Sequence, residues 1–303
     1  MTQFIVENID NQTAKNEAWL ILHSGRERKK CCLGKIPEDV NPDILKHKIV
    51  LFVNIEDKGK YYFANWLDMV ILNREDIEQD SPLLKIKLKG DIDSKQLLSR
   101  LLQIVSETEM PPFWKVFFKS DAVAEAIKDY EKFPAGAKVH HPWENGLSSH
   151  TEEALTAYAQ LSKVYYLKEI KHHVCIAALL FHDWGKTLEY SLTSSWSYTD
   201  DMPLFGHVYM SAKKICSLLN EFRQGYDFEN EEQERQAIRD IQFAEHCILA
   251  HHGIKGYGSP VVPATVEAFM VHIADLISAR VQMFDMATHM EQNNYLGTMI
   301  IKE

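Results

Sequence analysis

Hydrophobic positions change rhythm about a third of the way along the chain. Before residue 90 they fall in short runs rich in β-branched and aromatic residues, FIV, AWLIL, KIVLFVNI, KYYFANW and MVIL, divided by polar turns such as DNQTAKN and EDKGK. Runs of this length between turn residues signal strands. About five strands in so short a stretch predict a small antiparallel β-barrel, OB-like, with an SH3-like barrel as the other candidate. From Ser94 the spacing becomes helical: Leu97, Leu98, Leu101, Leu102 and Val105 share one face, and Asp91 or Asp93 is placed to cap that helix. Pro111-Pro112 breaks the chain before the amphipathic WKVFFKSDAVAEAIKDYEKF. Further helices are predicted over SHTEEALTAYAQLSKVYYL, HHVCIAALLFHD, GHVYMSAKKICSLLNEF, ERQAIRDIQFAEHCILAHH and PATVEAFMVHIADLISARVQMFDM. FENEEQER reads as a solvated helix start with its acids at the positive dipole end. The one strand-like interruption expected here is LEYSLTSSWSYT. The expected fold class is therefore α+β and multidomain, an OB-like barrel domain over residues 1–90 and an all-α bundle over residues 91–303.

Composition supports this division. A length of 303 residues exceeds the roughly 100–200 of one domain, and 46% hydrophobic with 25% charged residues excludes extensive disorder. No apolar run approaches the roughly 20 residues that span a bilayer, and MTQFIVENIDNQ has neither a basic start nor an apolar signal core, so a cytoplasmic protein without membrane contact is expected. Cys31, Cys32, Cys175, Cys216 and Cys247 lack CxxC spacing and read as reduced thiols. The net charge of −10 argues against holding nucleic acid by bulk electrostatics. Lys and Arg number 14 against 14 acids in residues 1–90 and 19 against 29 in the rest, so the acidic excess lies in the helical part. In the barrel, GRERKK is either a solvated edge that discourages strand pairing or a phosphate-contacting strip through Lys29 and Lys30. Tyr61, Tyr62, Phe63 and Trp66 offer rings on which bases could stack, although alternation along a strand would bury at least half of them.

Fourteen histidines are many for this length, and several fall at helix ends. His150 follows NGLSS, where Ser148 or Ser149 is placed to cap. The run AALLF delivers His182-Asp183, then Trp184-Gly185-Lys186; a helix so apolar is core, and two polar side chains at its end need partners. His207, His251-His252 before Gly253, and Asp275 within VHIADLISA complete the series. Neutral imidazoles with carboxylates suit one or two divalent ions such as Mn, Fe, Co, Ni or Zn, and Asp183 has two oxygens with which to bridge a pair. Paired cations acidify a water and stabilise both oxygens of an in-line displacement at phosphorus, which predicts hydrolysis of a phosphate ester.

The ordered set His150, His182-Asp183, His207, His251-His252, Asp275 resembles the HD metal-dependent phosphohydrolase superfamily. Within it HHPWENGLSSHT, LLFHDWGKTLEY, FGHVYM and LAHHGIKGYGSPVVPATVEAFMVHIADLISA are similar to the YhaM-type 3′→5′ exoribonucleases, over roughly residues 1–285. That resemblance implies one ion, Mn before Fe, Co, Ni, Zn or Mg, within His150, His182, Asp183 and Asp275. It implies a second site from His207 and the His251-His252 pair, His252 favoured, with Asp183 shared. Lys186 would set a cation against the scissile phosphate, and His140 or His141 would touch substrate or protonate the leaving oxygen, His141 being the catalytic candidate beside Asp183 and Lys186. GYGSP around Tyr257 is a candidate for bordering the pocket, and His172, His173, His246, His272 and His289 are structural or exposed, with support of a ligand as the second reading for His272, three residues before Asp275 on the same helical face. The implied partner is single-stranded RNA or DNA, tethered by the barrel, with a homo-oligomer left open. The competing readings are a hydrolase of small or cyclic (di)nucleotides and a nucleotide sensor without turnover.

Overall fold

The computed structural model describes residues 2–10, 17–24, 28–46, 48–72, 90–136, 140–165, 169–191, 197–199, 202–286, 291–293 and 298–300. Two compact units emerge, Met1–Leu88 with Ser191–Ser197, and Lys89–Tyr190 with Tyr198–Glu303.

The first unit holds β1 (Thr2–Asp10), β2 (Ala18–His23), β3 (Arg28–Gly34), β4 (Ile49–Phe52), β5 (Glu56–Asp57), β6 (Tyr62–Asn65) and β7 (Met69–Leu72). They form one sheet in the order β5-β6-β3-β2-β1-β4-β7 that curls into a half-barrel. Phe4 and Val6, Ala18, Leu20 and Leu22, Cys31 and Leu33, Val50 and Phe52 recur at the strand period of two and make one core. A register shift between Val6 and Asn8 marks a bulge in β1, a device that bends a strand. The five apolar runs are β1, β2, β4, β6 and β7. Two further strands raise the count to seven, and the β3–β6 pairing is parallel, so the sheet is mixed. β3 begins inside GRERKK, and its polar front half conceals it from a search for apolar runs; residues 25–27 of that segment lie outside the described residues.

The second unit contains α1 (Ser94–Glu107), α2 (Pro112–Phe118), α3 (Asp121–Ile127), α4 (Gly146–Tyr165), α5 (His172–Phe181), α6 (Lys186–Glu189), α7 (Met202–Gln224), α8 (Glu231–Ala250) and α9 (Val266–Met286). Asp93 caps α1 in a reciprocal box with Gln96, and Asn230 caps α8 ahead of its acidic first turn. Ser148 and Ser149 do not cap α4: the helix already begins at Gly146, and both serines lie inside its first turn. α5 is buried from His173 to Phe181 and packs against α4, α8 and α9, as a helix apolar on all sides must. Strands β8 (Tyr190–Ser191) and β9 (Ser197–Tyr198) pair where LEYSLTSSWSYT was expected to do so, although residues 192–196 lie outside the described residues. That hairpin is not the only strand pair after the barrel: β10 (Glu291–Asn293) and β11 (Thr298–Ile300) form another, each of three residues and too short to show an alternating apolar signal. His289 lies outside the described residues. Among the described residues no helix is long and apolar enough to cross a membrane.

Candidate metal centre

Each polar residue of the centre arrives where a helix begins, ends or turns a buried face inward. α5 stops at Phe181, and the His182 ring turns its Nδ1–H back to the Leu179 carbonyl at 2.8 Å, satisfying one of the acceptors a helix end leaves open. Its Nε2 is thereby the nitrogen that faces forward. His150 comes from the buried face of α4, and Asp275 from α9 beside buried Ala274. α7 is broken at Gly206 (φ 65, ψ 157), so His207 opens its second piece. His251 and His252 follow the end of α8, and Gly253 (φ 80) turns the chain there. Gly253 also lacks room for a side chain, since a Cβ would lie 2.3 Å from the His272 ring.

These residues gather on the two sides of Asp183. On the first, His150 Nε2 lies 3.0 Å from Asp275 Oδ1, 3.1 Å from His182 Nε2 and 3.5 Å from Asp183 Oδ2, while His182 Nε2 lies 3.3 Å from Asp183 Oδ2 and 3.6 Å from Asp275 Oδ1. With bonds of ~2.1 Å, ligands at right-angled or tetrahedral positions around one ion stand about 3.0–3.4 Å apart, so this set fits a divalent cation. On the second side, His207 Nε2 is 3.3 Å from His252 Nε2, and Asp183 Oδ1 is 3.6 Å from His207 Nε2 and 3.8 Å from His251 Nε2. Asp183 Oδ1 and His251 Nε2 are buried without a hydrogen-bond partner among the described residues. A buried carboxylate oxygen facing bare imidazole nitrogens is costly unless a cation stands between them, so the donor set of this side suits a divalent ion as well. The geometry does not single out His252: both rings of the pair bring Nε2 to this side, and His251, with Nδ1 bonded to the Ile248 carbonyl at 2.6 Å, is the more buried.

Electrostatics separates the sides. Burial pulls His182 down, but the Asp183 carboxylate outweighs it and holds the imidazole up at about 10. Burial likewise opposes a charged His150, and its bonds to Asp183 and Asp275 raise it nonetheless. Both carboxyls would be raised by burial yet are held well below the usual range, Asp183 by Lys186 and His182, Asp275 by His150 and His182. Across Asp183 the sign reverses. Burial and the neighbouring His252 push His251 well down, and burial with His207 pushes His252 down to about 4.

Lys186 is buried and donates to Asp183 Oδ2 at 2.6 Å. Gly185 permits this turn because His207 backbone crosses it: a Cβ there would lie 2.3 Å from the His207 carbonyl oxygen. His141 is buried, with Nε2 3.1 Å from Glu153 and Nδ1 3.4 Å from His140 Nδ1, beside His150. His272 reaches the His251 carbonyl through Nδ1 at 2.7 Å, His246 accepts from the Ala264 N–H, His173 bonds Asp240 and His172 bonds Tyr158. Tyr257 is exposed, with the Arg280 guanidinium 5.6 Å from its ring. In the sheet unit, Lys29 is bonded to Asp57 at 2.6 Å and lies over the Tyr62 ring, Tyr62 packs on Phe4, Tyr61 packs on Trp19, and Lys30 is exposed. Glu189 escaped sequence reasoning. It is buried at the end of α6 and accepts from His207 Nδ1 at 2.8 Å, which turns His207 Nε2 toward Asp183; an acid six residues after an HD pair was the available signal. Ser278, 2.9 Å from His150 Nδ1, escaped as well.

Two relatives carry the name 3′-5′ exoribonuclease YhaM. The chain is 30% identical over 203 residues to the one from Oceanobacillus iheyensis, which covers 66% of this chain and 58% of that protein. It is 26% identical over 196 residues to the one from Bacillus licheniformis, covering 65% of this chain and 57% of that protein. The match thus spans less than two thirds of these relatives' length. No family model matches the chain. No solved structure matches it either.

Proposed function

We propose that this relative of the YhaM-type 3′→5′ exoribonucleases hydrolyses single-stranded RNA from its 3′ end, with divalent cations held on both sides of Asp183. The observation that carries the reading is the division of one buried carboxylate, Oδ2 toward His150 and His182 and Oδ1 toward His207 and His251. His150, His182, Asp183 and Asp275 would hold one cation, and Asp183 with His207, His251 and His252 the other. Cations bound there supply Lewis acidity, which lowers the pKa of water and offsets charge on the phosphoryl oxygens. Mn suits a set of imidazole and carboxylate without thiolate.

The chain's own groups do the rest. Lys186 provides a fixed ammonium next to Asp183, positioned to meet the oxygens of a phosphodiester whose charge grows during displacement. The His140-His141 pair beside His150 handles the proton required when the P–O3′ bond breaks, leaving a 3′-hydroxyl on the shortened strand and a nucleoside 5′-monophosphate. Exposed Lys30 on the sheet is the phosphate contact, and Tyr61 and Tyr62, half-buried, offer ring edges to bases. The test is a 5′-labelled RNA strand, and separately a DNA strand, incubated with Mn or with chelator. A ladder shortening from the 3′ end with RNA, abolished by chelator and by His182→Ala, is expected. Intact RNA alongside cleavage of cyclic dinucleotides or free nucleotides would overturn the polymer reading.

A further inference from the structure

Glu153 lies one turn beyond His150 on α4, half-exposed, in none of the motifs of the sequence. Both of its oxygens are engaged. Oε2 accepts from the Ser278 hydroxyl at 2.7 Å, and Ser278 Oγ lies 2.9 Å from His150 Nδ1. Oε1 lies 3.1 Å from His141 Nε2, and His141 Nδ1 lies 3.4 Å from His140 Nδ1. The turn that carries these histidines is held in place: His141 (φ 45) and Asn145 (φ 62) are left-handed, and Gly146 passes so close that a Cβ would stand 2.1 Å from the His141 carbonyl oxygen.

Hydrogen-bond polarity is fixed from the carboxylate outward. A carboxylate only accepts, and a serine hydroxyl has one proton. Ser278 therefore donates to Glu153 and is left to accept from His150, which must carry its proton on Nδ1. His150 Nε2 is then the nitrogen directed at His182, Asp183 and Asp275; in the metal-free chain its proton faces the carboxylates, and once that proton leaves a lone pair remains there. The same rule applied to the other oxygen puts a proton on His141 Nε2; with His141 neutral, His140 Nδ1 is then the donor to His141 Nδ1. Burial would raise the Glu153 carboxyl, but the bonds from His141 and Ser278 hold it below its ordinary value, so it stays an anion at neutral pH.

We propose that Glu153 is a positioning residue that sets the tautomers of His150, through Ser278, and of His141 and His140, so that a carboxylate outside the ligand set decides which nitrogen of His150 is offered to a cation. Were Ser278 free to turn its proton toward His150, the ring proton would move to Nε2 and block coordination. The proposal rests on the metal-centre reading above only for its consequence; the tautomers themselves are a property of the metal-free chain.

The experiment uses the full chain labelled with 15N-histidine, treated with chelator, with the His150 signal assigned by its loss in His150→Gln. Long-range 1H–15N spectra distinguish the two tautomers. At a pH high enough for the ring to be neutral, His150 is expected as the Nδ1–H form in the parent and as a mixture in Glu153→Gln, whose amide can donate to Ser278 and reverse the hydroxyl. Mn affinity, measured by titration on the same samples, should fall about 10–100-fold in Glu153→Gln and similarly in Ser278→Ala. The double variant should lose no more than the worse single one, because both act through one relay. Thermal unfolding verifies that each variant is folded, and Glu153 is exposed enough for glutamine to be accommodated. An unchanged His150 tautomer in Glu153→Gln, or losses that add in the double variant, overturns the proposal. Unchanged Mn binding in His182→Ala would instead overturn the metal centre, while the metal-free spectra would still judge the relay.

Discussion

The two sides of Asp183 are built from similar side chains and hold protons in opposite ways. On one, two carboxylates and two imidazoles share protons, with His182 held up at about 10. On the other, three imidazoles face a single carboxylate oxygen, and burial keeps His251 and His252 neutral. Ligand count alone would make the sides equivalent; proton inventory does not. A cation entering the first side must displace a proton that the carboxylates hold tightly, whereas the second side presents bare nitrogens.

The largest expected effect comes from removing what the sides share. Asp183→Asn should abolish Mn loading on both sides and reduce RNA hydrolysis by well over the ~100-fold typical of losing a supporting residue, as measured by metal content and product ladder. Retention of one full equivalent of Mn would show that the sides are independent. Lys186→Met comes next. Removing the ammonium bonded to Asp183 Oδ2 should cost about 100-fold in turnover while Mn binding is kept or strengthened; a variant that loses metal instead would place Lys186 among the supports of the first side. Glu189→Gln touches the second side alone, weakening the acceptor of the His207 Nδ1–H, and should reduce one of two loading steps about 10-fold in calorimetric titration. Equal weakening of both steps would erase the distinction.

The smallest effect is that of pH. His182 is raised from 6.5 to about 10 in the folded metal-free chain, so its contribution to stability is complete below about 6.5 and is lost as pH rises through 10. Chelator-treated protein should accordingly melt at lower temperature as pH goes from 7 to 10, while Mn affinity on that side increases over the same interval because the competing proton leaves. His252, lowered to about 4, is neutral throughout, so the second loading step should be flat above about pH 6. Two steps with the same pH slope would contradict the assigned proton inventory.

Much of this arrangement was legible in the chain. His150, His182, Asp183, His207 and Asp275 stand in separated segments, each at the end or on the buried face of a helix whose apolar spacing is plain, so their order could be read before their distances. The choice between His251 and His252 was not legible, because at the end of a helix two consecutive rings can both turn inward, and here they do. Glu153 and Ser278 were invisible for another reason. A polar residue that supports a ligand from a distant helix leaves no periodicity of its own; Ser278 meets His150 across 128 positions of sequence. In the sheet, strands with apolar runs were readable, while β3 was hidden by its polar front half; the separate β10–β11 pair has strands of three residues, too short to carry an alternation.

Gly185 finally limits what the HD turn tolerates. The backbone of His207 rests against it with a hydrogen's width to spare, so even the smallest side chain would act as a wedge between α6 and the second piece of α7. Clearance at one position therefore governs whether His207 can close on Asp183, and the second side is a question of steric gauge before it is one of charge.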